Sequence, residues 1–139
     1  MHSIGIMLRI AVVYLLLVTA GCAHCTPGKE DMYTLAAALT KLTAAVEEKV
    51  YFREAPADMN DMELVNFSTS HDPRLKAPFA EYRLKARGVD GHAILLVCDR
   101  NGARGLIEDG GCTAAVDRHW WQDQPDHPCE ISPTICQTP

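Results

Sequence analysis

The apolar residues after position 28 follow a helical spacing. They recur every three or four positions, and the stripe consists of Met32, Leu35, Leu39, Leu42 and Val46. The pattern predicts an amphipathic helix over about residues 29–50, with Thr26 as its N-cap and Pro27 as its first residue. Because the repeat stops after two heptads, we expect the stripe to pack on the rest of the domain and not to form a coiled coil.

The second half of the chain has the patterns of β-strands. Within residues 79–87 the apolar side chains fall on one face, and the basic Arg83, Lys85 and Arg87 fall on the other. This alternation predicts a half-buried strand with a solvated basic face. Residues 92–98 are apolar almost throughout, which predicts a strand that is covered on both faces.

An Asn-Gly pair at positions 101–102 follows this buried strand. Both residue types accept a positive φ, so the pair predicts a hairpin with a type I′ turn. The turn places Val97 opposite Leu106 and Asp99 opposite Arg104. An aliphatic pair and an opposite-charge pair both favour this register.

The segment between residues 51 and 78 has a weaker pattern. Its prolines and polar residues predict an irregular crossing, with a short strand near residues 64–67. Ser70, His71 and Asp72 are the residue types of a hydrolase triad. Consecutive side chains point in different directions, however, and real triads are assembled from distant positions. We therefore interpret these three residues as part of a loop.

These elements predict one α+β domain. A long N-terminal helix packs on a three- or four-stranded antiparallel meander, and a disulfide-tied C-terminal tail follows. The expected organisation is a signal peptide over residues 1–21, a tether over residues 22–28 and a single α+β domain over residues 29–139.

The signal peptide is predicted from an apolar run over residues 10–22, which follows Arg9 and ends on small residues. The run is shorter than the about 20 apolar residues that a transmembrane helix needs. An uncleaved anchor is the alternative. A signal peptide predicts that the mature domain is exported.

The end of this run, Val18-Thr19-Ala20-Gly21-Cys22, resembles the lipobox of bacterial lipoproteins. The resemblance implies that Cys22 is acylated, for example with palmitate, and becomes the new N-terminus. Thr19 stands where the family usually has leucine. Ala23, which follows the cysteine and is not an aspartate, resembles lipoproteins of the outer membrane. The alternative is cleavage after Ala20 by an ordinary signal peptidase, which would leave no lipid.

Charge and size narrow the classes of function. Removing residues 1–21 leaves 118 of the 139 residues, which is enough for one compact domain. The charged side chain of this leader is Arg9, so the formal net charge changes from −5 to −6. An acidic surface argues against binding to nucleic acid, which requires clustered lysine and arginine.

Six cysteines are present, and an exported chain meets an oxidising compartment, so we expect disulfides among the last four. The cysteines are Cys22, Cys25, Cys98, Cys112, Cys129 and Cys136. Four cysteines permit three pairings. Short loops favour Cys98–Cys112 and Cys129–Cys136, the pairing that we expect. Cys25 is an odd thiol if Cys22 carries lipid, and the two form a C-x-x-C pair if cleavage follows Ala20.

Motifs for catalysis or metal binding are not apparent. The spacing of His119, His127 and Cys129 matches no zinc pattern, and we see no nucleophile elbow, P-loop or dinucleotide-binding glycine motif. The adjacent carboxylates Glu108 and Asp109 are interpreted as solvated loop charges. We therefore expect no metal, no cofactor and no enzymatic activity.

The residues that we expect to contact a partner are Arg118, His119, Trp120 and Trp121. Tryptophan and arginine are enriched in binding hot spots. The sequence favours a short helix over residues 114–121, on which adjacent tryptophans point about 100° apart, so that one can be buried while the other is exposed. The alternative is that both tryptophans cover the sheet.

These features favour a cell-envelope lipoprotein that binds another envelope or secreted protein and reaches the membrane through its N-terminal lipid. An inhibitor or immunity protein against an envelope-acting toxin or hydrolase fits a small, acidic, disulfide-tied domain. One alternative is a structural or assembly component of a secretion, pilus or conjugation machine. The order of helix, meander and cysteine-closed tail resembles type IV pilins, although Ile10 stands where pilins have glutamate. The other alternative is a small periplasmic hydrolase.

Overall fold

The computed structural model describes residues 28–56, 58–113 and 118–136. The predicted signal peptide, Cys22 and Cys25 lie outside these ranges. The elements in chain order are α1 (Lys29–Tyr51), α2 (Asp61–Ser68), a 3₁₀ helix (Pro73–Phe79), β1 (Arg83–Val89), β2 (His92–Cys98), β3 (Gly105–Gly110) and α3 (Trp120–Asp123). The predicted α+β class is confirmed. Within the described ranges, no helix has the length and apolar character needed to cross a membrane.

Helix α1 confirms the amphipathic stripe. All five residues of the stripe are buried, and Leu39, Leu42 and Val46 have no solvent-accessible surface. The predicted start at Thr26 and Pro27 lies outside the described residues, and Gly28 takes the N-cap position. The Gly28 N–H donates a hydrogen bond of 3.0 Å to the Asp31 carboxylate, which anchors the first turn.

The sheet is antiparallel with the order β1-β2-β3, so β2 is the central strand. Because side chains alternate along a strand, β2 contributes to two separate apolar clusters. Ala93, Leu95 and Val97 face α1 and pack in its cluster. Ile94, Leu96 and Cys98 face the C-terminal tail and pack with Trp120, Cys129, Ile131 and Ile135. The prediction that this strand is covered on both faces is confirmed.

The turn between β2 and β3 differs from the predicted type I′ turn. A type I′ turn needs a positive φ at both central residues, but only Gly102 has one, at 72°. The Gly102 N–H donates to the Asp99 carbonyl (2.9 Å), and the Asp99 N–H donates to the Arg104 carbonyl (2.9 Å). The Arg104 side chain also lies 3.3 Å from the Asp99 carboxylate, so this predicted pair is confirmed.

The same Asp99 carboxylate accepts the backbone N–H groups of Ala103 (2.8 Å) and Arg104 (3.4 Å). Burial raises the pKa of Asp99, but these hydrogen bonds and the Arg104 guanidinium outweigh burial, and the pKa lies below its ordinary value of 3.8.

A bulge between Val97 and Cys98 changes the rest of the predicted register. Cys98 pairs with Gly105, but Val97 pairs with Ile107 and not with Leu106. The extra residue on β3 is therefore accommodated at this point. The predicted register is therefore wrong by one residue at Val97 and at the β2 residues that precede it.

The segment predicted as a strand at residues 64–67 is helical and belongs to α2. Asn60 caps this helix: its side chain accepts the Glu63 N–H (3.0 Å), and the Glu63 carboxylate accepts the Asn60 N–H (3.1 Å). This reciprocal capping box starts a helix that the apolar pattern of eight residues did not reveal. Ser70 and His71 lie in a loop, as expected.

Strand β1 begins later than the predicted residue 79, because residues up to Phe79 form the 3₁₀ helix. Its alternation is confirmed in part: Ala86 is buried, and Arg83 and Arg87 are exposed, but Lys85 is half-buried like Leu84. The predicted basic face of this strand is therefore solvated at Arg83 and Arg87.

Both disulfides connect the sheet region to the tail. Cys98 pairs with Cys129 and Cys112 pairs with Cys136, each with a Cα–Cα distance of 5.5 Å. All four predicted cysteines are therefore oxidised, but the expected pairing of Cys98 with Cys112 and of Cys129 with Cys136 is wrong. The reason is that Cys98 lies on the face of β2 that the tail covers, which brings Cys129 to it.

Candidate functional site

Trp120, a predicted partner-binding residue, is part of the core. It is 8% exposed, and its ring stacks on His127 with the centroids 3.9 Å apart. Its indole N–H donates to the Glu108 carboxylate (3.1 Å). The stacked ring and the paired N–H show that Trp120 fixes the tail on the sheet.

Glu108 holds this part of the fold together. Its side chain has no solvent-accessible surface, and besides the Trp120 N–H it accepts the backbone N–H of Ser132 at 2.6 Å. The prediction that Glu108 and Asp109 are solvated loop charges is wrong, because both lie buried on β3. Glu108 thus connects the sheet, α3 and the tail through a single carboxylate.

The other three predicted residues lie nearer the surface. Arg118 is exposed, and its guanidinium lies 5.4 Å from the centre of the Trp120 ring. His119 and Trp121 are half-buried, and both contact Tyr33 edge to face, with centroid distances of 5.3 and 5.8 Å. We call Tyr33, His119 and Trp121 the aromatic surface. Contact of these residues with a partner stays a prediction.

Tyr33 was not found from the sequence, because it lies on α1, far from the tryptophans along the chain. It is 41% exposed, and its hydroxyl donates to the Gln122 side chain (3.2 Å). The Trp121 indole N–H is buried and has no hydrogen-bond partner in the described part of the chain. The aromatic surface therefore joins the N-terminal half of α1 to α3.

A cleft of about 710 Å³ lies at the other end of α1. Tyr51, which lines the cleft, is 18 residues from Tyr33 along α1. This spacing corresponds to about 27 Å of helix. The end of α1, the segment before α2 and the β1–β2 turn line the cleft, with Val50, Tyr51, Arg53, Met59, Leu64, Asp90 and His92 among its residues. We call it the α1 cleft. Its volume is within the range of small-molecule sites.

Tyr51 lines this cleft, and Phe52 is the next residue along the chain. Tyr51 and Phe52 are 62% and 65% exposed, the highest values of any large hydrophobic residue in the described ranges. Their rings meet edge to face at 5.2 Å. The sequence contained the signal for this exposure, because the buried stripe ends at Val46 and residues five and six positions later lie off that face.

Helix α1 ends in a left-handed residue that lines the cleft. Arg53 has a φ of 56°, and the Glu54 N–H after it donates to the Lys49 carbonyl (2.9 Å). This closes the helix as glycine commonly does at this position. The Arg53 side chain is exposed and lines the cleft.

His92 lines another part of the cleft, and its ring is paired with the carboxylate of Glu47. His92 Nδ1 lies 2.7 Å from Oε1 of Glu47, and the second Glu47 oxygen accepts the backbone N–H of Ala93. A carboxylate that holds one imidazole nitrogen orients the ring and leaves the other nitrogen for a ligand or a proton. The described lining contains no serine, threonine or cysteine, so this pair would have to act on water or on a bound molecule. Sequence reasoning missed the pair because 45 residues separate its members.

No protein-family model, no curated protein and no solved structure matches this chain. Among the residues that the structure describes, no three histidine, cysteine, aspartate or glutamate side chains are grouped in a way that could hold a metal ion. His127 lies against Trp120, and Cys129 is in a disulfide. The aromatic surface and the α1 cleft, at opposite ends of α1, are therefore the two candidate binding sites.

Proposed function

We propose that the protein is an exported, envelope-attached module that binds another protein and has no catalytic role of its own. The observation behind this proposal is the exposed pair Tyr51 and Phe52 at the C-terminal end of α1, of which Tyr51 lines the α1 cleft. Aromatic side chains bury about 150–250 Å² each and supply much of the energy of interface hot spots. Burying the exposed parts of both side chains would contribute on the order of 5 kcal/mol to the free energy of binding, before the costs of association are subtracted.

The position of the pair supports this proposal. It lies at the C-terminal end of a 23-residue helix whose inner face is buried, and two disulfides hold the opposite side of the sheet. A rigid support lowers the entropy that is lost on binding. The partner that we propose is an envelope-acting toxin or hydrolase, with this protein as its inhibitor or immunity protein.

Attachment to the membrane is the second part of the proposal. The disulfides support an oxidising compartment, and the lipobox-like segment supports acylation of Cys22. Replacing Cys22 with serine should release the protein into the soluble fraction and abolish fatty-acid labelling. A wild-type protein without label, with the mass expected for cleavage after Ala20, would contradict attachment by lipid. Membrane fractionation tests the proposed outer-membrane location.

Binding can be tested by mixing the purified protein with a panel of envelope hydrolases. We expect a one-to-one complex with one of them, together with loss of that enzyme's activity. The double variant Tyr51→Ala/Phe52→Ala should weaken the complex by about 2 kcal/mol or more and leave the melting temperature nearly unchanged. Phe67→Ala is the matched control, since Phe67 is an exposed aromatic residue on α2 (37%). Equal binding by the double variant would refute the proposed contact, and incorporation into a large assembly would favour a machine component.

A small hydrolase is the second candidate, and the Glu47–His92 pair favours it. His92 could accept a proton from a water molecule in the cleft while Glu47 holds the ring. Turnover of an ester or amide substrate that is lost in His92→Gln but kept in His71→Gln would favour this candidate. His71 is an exposed loop histidine and serves as the control.

A further inference from the structure

Two charged side chains of opposite sign line the α1 cleft. Arg53 and Asp90 both line the cleft and are exposed, and neither side chain makes a hydrogen bond or ion pair with any described residue. Neighbouring charges are satisfied: Lys49 pairs with Glu54 at 2.7 Å, and Glu47 is held by His92 and Ala93. The two unpaired charges therefore remain available to a ligand.

The backbone fixes both of these residues in the left-handed region. Asp90 (φ 52°) and Gly91 (φ 84°) form the two-residue turn between β1 and β2, where aspartate is a favoured residue. Arg53 (φ 56°) closes α1 at a position where glycine is favoured and an arginine lowers stability. The turn accounts for Asp90, but backbone geometry does not account for an arginine at position 53.

Apolar side chains also line the cleft. Val50, Met59 and Leu64 line the cleft, and Leu64 is 4% exposed. A ligand that uses all three kinds of side chain carries an anionic group, a cationic group and an apolar group. A free amino acid with an aliphatic side chain has these three groups on one carbon atom.

We propose that the α1 cleft binds an aliphatic amino acid as its zwitterion. The Arg53 guanidinium donates to the α-carboxylate, and the Asp90 carboxylate accepts from the α-ammonium group. The side chain of the ligand packs on Val50, Met59 and Leu64. The His92 nitrogen that does not face Glu47 is available for one more hydrogen bond to the ligand.

The test uses L-leucine as the probe and the full-length oxidised protein, with binding measured by calorimetry and by NMR shift changes. Leucinamide lacks the carboxylate, and N-acetyl-leucine lacks the ammonium group. We expect saturable binding of leucine, with each analogue weaker by about tenfold or more, because each loses a charge-assisted hydrogen bond. No detectable binding at leucine concentrations up to about 10 mM would overturn the proposal, because the dissociation constant would then be higher than is usual for small ligands.

Two variants test the assigned contacts without harming the fold. Arg53→Gly removes the guanidinium and relieves the left-handed backbone, and Asp90→Asn keeps a residue that the turn favours. We expect both to lose leucine affinity by about tenfold or more at an equal or higher melting temperature. Arg53→Gly should also lose its discrimination between leucine and leucinamide. Wild-type affinity in either variant would refute the contact assigned to that residue. Tyr51 and Phe52 are unchanged in both variants. A negative result for leucine would therefore not decide whether the protein binds another protein, which the variants of Tyr51 and Phe52 test separately.

Discussion

Replacing Glu108 with glutamine tests whether one buried carboxylate holds the tail on the sheet. The substitution keeps the volume of the side chain, so it leaves no cavity. The carboxylate accepts two donors, the Trp120 indole N–H and the Ser132 backbone N–H. Glutamine offers one acceptor oxygen, and its NH₂ group would face the second donor.

The expected loss follows from these two contacts. A hydrogen bond to a charged group contributes about 1.5–3 kcal/mol, and a buried donor without a partner costs about 1–3 kcal/mol. The neutral amide recovers part of this loss, because it avoids the desolvation of a fully buried charge. We therefore expect Glu108→Gln to lower the free energy of unfolding by about 2–3 kcal/mol, a large share of the roughly 5–15 kcal/mol typical of a domain.

Urea unfolding of the oxidised protein, followed by circular dichroism and tryptophan fluorescence, measures this loss. Glu48→Gln is the control, because Glu48 is exposed on α1 and should change stability by less than about 0.5 kcal/mol. The variant at Glu108 should also make Trp120 more accessible to a soluble quencher. A loss at Glu108 as small as that at Glu48 would refute the assigned role of the carboxylate.

Three further predictions concern the loops and the disulfides. The contacts that lower the pKa of Asp99 stabilise the fold at pH values above the ordinary value of 3.8. Wild type should therefore be more stable than Asp99→Asn at neutral pH, and the two stabilities should converge as acid protonates the carboxyl group. Gly102→Ala should cost about 1–2 kcal/mol in thermal unfolding, because φ is positive and the new methyl group would contact Arg83. Replacing Cys112 and Cys136 with alanine should cost about 3–4 kcal/mol in urea, and peptide mapping of the wild type should find these two cysteines linked to each other.

Most of the elements could be predicted from the sequence because their patterns are local. The stripe of α1 and the apolar run of β2 gave both elements with their bounds correct to a residue or two. Helix α2 was missed because its eight residues span barely two turns, although Asn60 and Glu63 have the spacing of a capping box. The bulge at Cys98 shifted the hairpin register, and no residue there signals an insertion.

The disulfides and the α1 cleft depend on contacts between distant segments. The expected pairing closed the shortest loops, whereas the tail crosses β2 and brings Cys129 to Cys98. In the same way, Glu47 and His92 meet because α1 lies across the start of β2. Such contacts follow from packing, which the spacing of residues along the chain does not specify.

The two faces of β2 divide the domain into layers with different requirements. The cluster on α1 contains no cysteine, whereas the tail cluster contains Cys98 and Cys129, with Cys136 packed against it. In a reducing environment the cluster between β2 and α1 keeps all of its packing partners. The two disulfides that tie the tail to the other side of the sheet are open. The contacts of Glu108 with Trp120 and Ser132 would then be left to hold the tail over Ile94 and Leu96. Oxidation therefore adds two cross-links between distant segments, after which the chain can no longer extend fully.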